Sequence, residues 1–308
     1  MNIVDREFYK LAEQIGYMSG EEIFRTIKTS FEAMAEGTRK SYVNFFNAFG
    51  FWGKLDPEKG VYEAFDLKAA ALKQHMTDFV WLYERLADFR SKRTLYTVLN
   101  NWFRLDCTAT VRAKEYMFDE YFDLDILKYT SDEVVVDLGA YVGDTLLLYV
   151  LNLGRDSFKK YYCYEITPST FEILRKNVAP FDNVECRLKG IADKKGVMRI
   201  SENKTSLSAN SLSEEGETEV EVTTLDEDVT EPVTLIKADI EGGEQNALRG
   251  AVGHINNDHP KLLVSVYHNN EDLWKIPQMI DGISTDYDFY LRYKGSLIYP
   301  TEITLFAL

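Results

Sequence analysis

Glu133-Val-Val-Val-Asp137-Leu-Gly139-Ala140-Tyr141-Val-Gly143-Asp144 decides how this chain of 308 residues is read. Val134, Val135 and Val136 are consecutive and β-branched, the pattern of a strand buried on both faces of a parallel sheet. Asp137 ends the run, and Gly139 and Gly143 open a turn. Thr145-Leu-Leu-Leu-Tyr-Val-Leu151 then reads as a helix. Strand, glycine turn and helix form the first half of a βαβ unit. Its turn can bring backbone close to a ligand, beside the free N–H groups of a helix start.

The spacing Gly139-x-x-x-Gly143 is not the G-x-G-x-x-G of a dinucleotide site, which makes a nicotinamide enzyme an unfavoured alternative. No Lys-Ser/Thr pair follows to make a phosphate loop. Asp137 would repel a pyrophosphate but suits a cation or an amino group. Tyr161-Tyr-Cys-Tyr-Glu165 is a second strand that ends in a carboxylate, about 20 residues past the turn. That is where a βαβ unit puts an acid on ribose hydroxyls. A nucleoside with an amino-acid tail and a positive centre, S-adenosylmethionine, fits this set. The candidate cofactor residues here are Asp137, Gly139, Ala140, Tyr141, Gly143, Asp144, Thr145 and Glu165. A βαβ turn that binds nothing stays open as the alternative.

The chain beyond Glu165 continues to alternate strand and helix, which predicts a parallel sheet with helices on both faces. Thr167-Pro168 opens a helix over 168–178, and 183–188 is a third strand. At its end, Ile191, Ala192 and Asp193 would meet the adenine, although Asp193 reads equally well as a turn residue. Strands are expected at 234–240 and 261–267, with a closing antiparallel pair at 288–293 and 304–308. Ahead of these strands, 201–219 is polar and aperiodic, either a flap over the site or a surface loop, the latter preferred. Residues 1–128 read as mostly helical. Helices are expected over 5–17, 39–48, 66–86 and 91–105, and a Ser19-Gly-Glu-Glu22 capping box opens another. The division expected is a helical region at 1–128, for substrate recognition or assembly, and a cofactor-binding domain at 129–308. A chain begun near Glu120 is accordingly expected, if it folds, to keep the cofactor and lose turnover.

Asp137-Leu-Gly-Ala-Tyr-Val-Gly-Asp-Thr145, Tyr164-Glu-Ile-Thr-Pro-Ser169, Leu235-Ile-Lys-Ala-Asp-Ile-Glu-Gly-Gly-Glu-Gln-Asn-Ala-Leu-Arg-Gly-Ala251 and the strand ending at Tyr267-His268 resemble the FkbM family of S-adenosylmethionine-dependent methyltransferases. The resemblance runs from about Tyr121 to Leu308. Its most specific piece is Lys237-Ala-Asp-Ile-Glu-Gly-Gly-Glu244, close to the family's K-x-D-x-E-G-x-E. It implies a class I, Rossmann-like α/β sheet of about seven strands, the last antiparallel. It also implies O-methylation of a hydroxyl on a sugar or natural-product acceptor. A non-catalytic nucleoside-binding protein on the same fold is the second reading.

Polar residues gather at the strand ends, where open α/β sheets bind ligands. Asp239, Glu241 and His268 stand there as catalytic candidates, with Asp239 also near the cofactor. His268 can take the hydroxyl proton while an acid positions it; a metal-free site is preferred over a magnesium site. Glu241 has a further reading, as a cap on the helix after Gly242-Gly243. Lys237 is read as half of a Lys–Asp ion pair that fixes a strand end. Tyr121 and Phe122, just before the first strand, are the candidates for touching acceptor. Gly139 is expected to reject any side chain because cofactor passes over it.

Net charge is −15, with 45% apolar and 28% charged residues. Such acidity disfavours nucleic-acid and lipid-surface partners, which need basic patches. Three unevenly spaced cysteines give neither a metal pattern nor a disulfide framework. No signal peptide and no membrane-length apolar run is present, so a cytoplasmic location is expected. The expected partners are a small-molecule or glycan acceptor and, through the N-terminal helices, a second copy of the chain.

Overall fold

A computed structural model of the chain describes residues 1–201, 210–213 and 218–308. The central strands are β1 (Val134–Leu138), β2 (Lys160–Glu165), β3 (Val184–Leu188), β4 (Leu235–Ala238), β5 (Lys261–Ser265), β6 (Phe289–Tyr293) and β7 (Ile303–Ala307). They form one mostly parallel seven-stranded sheet in the order β6-β7-β5-β4-β1-β2-β3. The α/β reading and its seven strands hold, each strand within a few residues of its expected place.

Two compact units make up the chain. One comprises Met117–Ser265, Gln278–Tyr287 and Phe306–Leu308; the other comprises Met1–Tyr116, Val266–Pro277 and Asp288–Leu305. In the first, β3, β2, β1, β4 and β5 pair in parallel. All five residues of β1 are buried, as its run of valines requires. Chain order reverses between β1 and β4, which makes the carboxyl end of that pair the topological switch point. A smaller sheet of Gly190–Ile191, Thr218–Thr223, Gly196–Ser201 and Ser211–Ser213 lies in the same unit. The strand at Ser211–Ser213 falls in the stretch expected to be loop or flap. Residues 202–209 and 214–217 of that stretch lie outside the described residues.

The second unit holds the N-terminal helices. Both reciprocal capping arrangements, Asn2 with Asp5 and Ser19 with Glu22, are formed. The single helix expected over 66–86 is two, Glu63–Gln74 and Met76–Arg85, broken at His75. His75 leaves helical dihedrals, stacks on Trp274 with centroids 4.3 Å apart, and its ring meets the Asp78 carboxylate at 2.7 Å. Ring stacking and a side-chain hydrogen bond offset the interrupted backbone ladder. Aromatic side chains fill this core: Trp52 is 2% exposed and stacks on Phe45, with Phe46 and Tyr299 around it.

Lys68 is fully buried in that core. Its ammonium nitrogen donates to Asn270 Oδ1 at 3.0 Å and to the Tyr299 hydroxyl. It lies 4.4 Å from the Trp102 ring centroid and 4.5 Å from that of Tyr299. Burial pulls its pKa well below the ordinary lysine value.

Candidate active site

Where β1 ends, the backbone must turn sharply under β4. Gly139 has φ +76°, and a Cβ there would lie 2.0 Å from the carbonyl oxygen of Asp239. Gly139 is therefore required by the chain's own backbone, whatever ligand passes, a reason that stands beside the cofactor contact expected of it. The N–H groups of Gly139 and Ala140 both donate to the Tyr164 carbonyl, at 3.1 and 2.9 Å. Asn177 Nδ2 clamps the turn from outside by donating to Val142 O at 2.8 Å.

Lys237 is the second constraint. It faces Asp137 directly in the parallel register of β4 and β1. The side chains pair at 3.0 Å, both almost wholly buried. Lys237 Nζ also donates to Gly139 O at 2.8 Å and Leu138 O at 3.3 Å. The ion pair thus pins the glycine turn to the neighbouring strand. Burial pushes the Asp137 carboxyl up, against the pull of Lys237. Burial alone would lower Lys237, but the Asp137 and Asp239 charges raise it above its ordinary value. Tyr161 adds a hydroxyl donated to Asp137 Oδ2 at 3.1 Å.

Above this floor is a cleft with about 590 Å³ of space between atoms, including its open mouth. The ends of β1, β2 and β4, the segment Lys189–Ile191, and Asn210 with Leu212 form its walls. Of the candidate cofactor residues, Gly139, Tyr141, Glu165, Ile191 and Asp239 line it, together with Glu241. Asp137 and Ala140 are fully buried, Asp137 being taken up by Lys237 and Tyr161. Gly143, Asp144, Thr145, Ala192 and Asp193 are not among the lining residues. Gly143 (φ +88°) is the N-cap of the helix Asp144–Leu153, whose first residue is exposed. Ala192 donates its N–H to Thr223 O at 2.9 Å, and Asp193 is exposed.

Glu165 is 7% exposed at the end of β2, its Oε1 accepting the Thr167 N–H at 2.7 Å. Burial raises its pKa, and the Thr167 hydrogen bonds oppose that only in part. Asn210, which the sequence did not single out, and Thr167, read there only as a helix start, join at the cleft wall through Nδ2 to Oγ1 at 3.2 Å. Lys189 lines the cleft while pairing with Asp228 at 3.2 Å and Glu221 at 3.4 Å.

The turn after β4 belongs to Glu244. This fully buried acid accepts the Ile240 N–H at 2.8 Å and the Gly242 N–H at 3.0 Å. The backbone N–H groups ahead of that helix thus go to Glu244, the final acid of the Lys237–Glu244 stretch. Two glycines followed by an acid before a helix is the signal for it. Glu241 instead lines the cleft from a left-handed backbone (φ +56°), as does Tyr141 (φ +46°). Left-handed non-glycine residues cost of order 1–3 kcal/mol and collect at functional sites.

Tyr121 is 6% exposed and donates its hydroxyl to Asp239 Oδ2 at 2.8 Å. Phe122, expected to face an acceptor, is 2% exposed and packs edge-on against Tyr149. It belongs to an aromatic cluster with Phe158 and Tyr161, where burial of its ring is the larger gain. His268 lies in the other compact unit, fully buried and edge-on to Phe51 at 5.6 Å.

Comparison with known proteins adds a family model, described as the methyltransferase FkbM domain, that matches residues 137–293, just over half of the chain. No curated protein matches. Among solved structures, the methyltransferase FkbM from Methylobacillus flagellatus KT is similar with a TM-score of 0.67 and 23% identity, over 89% of this chain and 72% of that one. An rRNA methylase from Streptococcus thermophilus is similar with a TM-score of 0.38 and 13% identity, over 58% and 87%. Aeropyrum pernix fibrillarin, solved with natively bound S-adenosyl-L-methionine, gives 0.38 and 12%, over 59% and 70%. The first of these shows the same fold. No helix among the described residues is long and apolar enough to cross a membrane.

Proposed function

This chain belongs to the FkbM methyltransferase family, and from that premise we propose that it transfers a methyl group from S-adenosylmethionine to a hydroxyl on a sugar or natural-product acceptor. One observation carries the cofactor assignment: Glu165, Asp239 and Glu241 line a single cleft with the strained glycine turn at the sheet's switch point. Three carboxylates there suit hydroxyl donors, an ammonium group and a positive sulfur, and they would oppose a pyrophosphate. The acidic lining and the close-approach turn fit this cofactor.

In this reading Glu165 accepts the ribose hydroxyls and Ile191 covers one face of the adenine. Asp239 meets the ammonium of the amino-acid tail, and the Gly139–Tyr141 backbone runs beneath it. Bound there, S-adenosylmethionine supplies a methyl carbon on a sulfonium that is already a good leaving group. The protein's task is then mainly alignment and exclusion of water. As the acceptor oxygen bonds to the methyl carbon, the carbon–sulfur bond breaks with its electron pair left on sulfur, and the acceptor's O–H proton needs a base. Imidazole takes up protons near neutral pH, so His268 is the residue to test for that role. Glu241 would orient the acceptor. No metal enters this scheme.

The test is methyl transfer by the purified chain to a panel of hydroxylated glycans and small molecules, read as a one-methyl mass gain. Loss of turnover on dialysis against chelator, restored by magnesium, would replace the metal-free scheme. Binding of S-adenosylhomocysteine with no turnover on any acceptor would favour a non-catalytic nucleoside binder. No binding at all would sink the cofactor assignment.

A further inference from the structure

We propose that Tyr121 is a positioning residue that holds Asp239 in place for the ammonium end of the methyl donor, which rests on the reading of the cleft given above. Tyr121 precedes β1 and is 118 residues from Asp239 in sequence, yet its hydroxyl donates to Asp239 Oδ2 at 2.8 Å. The same hydroxyl lies 3.4 Å from Ser265 Oγ at the end of β5. Lys237 Nζ stands 5.4 Å from the centroid of the Tyr121 ring. Lys237 is itself fixed by Asp137 and by the carbonyl of Gly139.

Three features argue that this is more than packing. Tyr121 takes a left-handed backbone conformation (φ +65°), which a bulky residue adopts only under constraint. Tyr141 and Glu241, in the same compact unit, share that conformation and line the cleft that Asp239 also lines. Of the four left-handed non-glycine residues described in that unit, Tyr141 and Glu241 line the cleft and Tyr121 bonds a residue that does, while His259 is not among the lining residues. Tyr121 itself is not among the lining residues, so its hydroxyl reaches the cleft through Asp239. A phenol proton shared with one carboxylate oxygen fixes the torsion of that carboxylate. A cation arriving in the cleft then meets a charge already oriented, which is worth more than one that must reorganise.

Tyr121→Phe removes the hydroxyl and keeps the ring. Calorimetry on the full chain should compare S-adenosylhomocysteine, which carries the amino-acid tail, with adenosine, which lacks it. We expect Tyr121→Phe to weaken S-adenosylhomocysteine about tenfold, as for a hydrogen bond to a charged group, and adenosine less than about twofold. In an Asp239→Ala background the same change should do nothing more, because its effect passes through that carboxylate. Equal weakening of both ligands, weakening of neither, or an undiminished effect in Asp239→Ala would overturn the proposal. Failure of Tyr121→Phe to fold would overturn it too, by making the hydroxyl a structural requirement. If the unmodified chain binds neither ligand, the reading of the cleft fails first, and separately.

Discussion

A Cβ on Gly139 would sit 2.0 Å from the carbonyl oxygen of Asp239, so the end of β1 and the end of β4 touch backbone to backbone. Gly139→Ala must both adopt φ +76° and displace β4. The left-handed conformation alone costs about 1–2 kcal/mol, and the overlap adds to it. Thermal and urea unfolding should show a loss of at least about 2 kcal/mol before any ligand is added. An unchanged unfolding midpoint would mean that the turn can relax, and cofactor contact would again be its reason.

Lys237→Met should be costly, because it leaves Asp137 buried without its cation. Removing one partner of a buried pair typically costs about 3–5 kcal/mol. The double change Lys237→Met with Asp137→Leu should recover much of that loss, since no charge is then left buried. Stability losses that simply add would mean that the pair is not the pin between β1 and β4.

Glu165 gives a pH prediction. Its folded-state pKa is raised above the ordinary value of 4.5, chiefly by burial. Between the two values the folded chain keeps a proton that the unfolded chain has released, so stability falls as pH rises through that interval. Ligand binding runs the other way, because ribose hydroxyls donate to the ionised form. Affinity for S-adenosylhomocysteine should therefore begin to drop on acidification at a pH above 4.5. Glu165→Gln should bind about tenfold more weakly and lose that acid limb. An acid limb that persists in the variant would belong to another group.

The strand ends were legible because strands are apolar and local: each carboxylate that ends a valine- or tyrosine-rich run stands out. The Lys237–Glu244 stretch was legible as a unit for the same reason. What the sequence could not give is who takes each polar group. Asp137 reads as a cofactor ligand until Lys237 is seen opposite it, across 100 residues of chain. Tyr121 reads as an acceptor contact until its hydroxyl is found on Asp239. Asn210 sits in a polar, aperiodic stretch with no pattern to mark it, and only the fold carries it to Thr167.

The helical region is not expected to come away cleanly. Arg292 on β6 is 2% exposed and donates to Asp88 Oδ2 at 2.7 Å and to Ser91 Oγ at 2.9 Å. The Leu291 N–H also goes to Ser91 Oγ. A chain begun near Glu120 would strip that guanidinium of its acid and bare the strand that carries it. It should be insoluble or unfolded, so the folding on which cofactor binding after the cut depends is not expected. Full affinity for S-adenosylhomocysteine in a soluble truncation would reject this.

Lys68 makes the core of the helical unit a clock. An amine held below its ordinary pKa is a good nucleophile, yet this one is sealed behind Trp102 and Tyr299. An acylating reagent dissolved around the native chain can reach it only in moments when those aromatic walls part. The rate at which Lys68 gains the label, set against exposed lysines such as Lys40 and Lys59, would therefore count the openings of the interior.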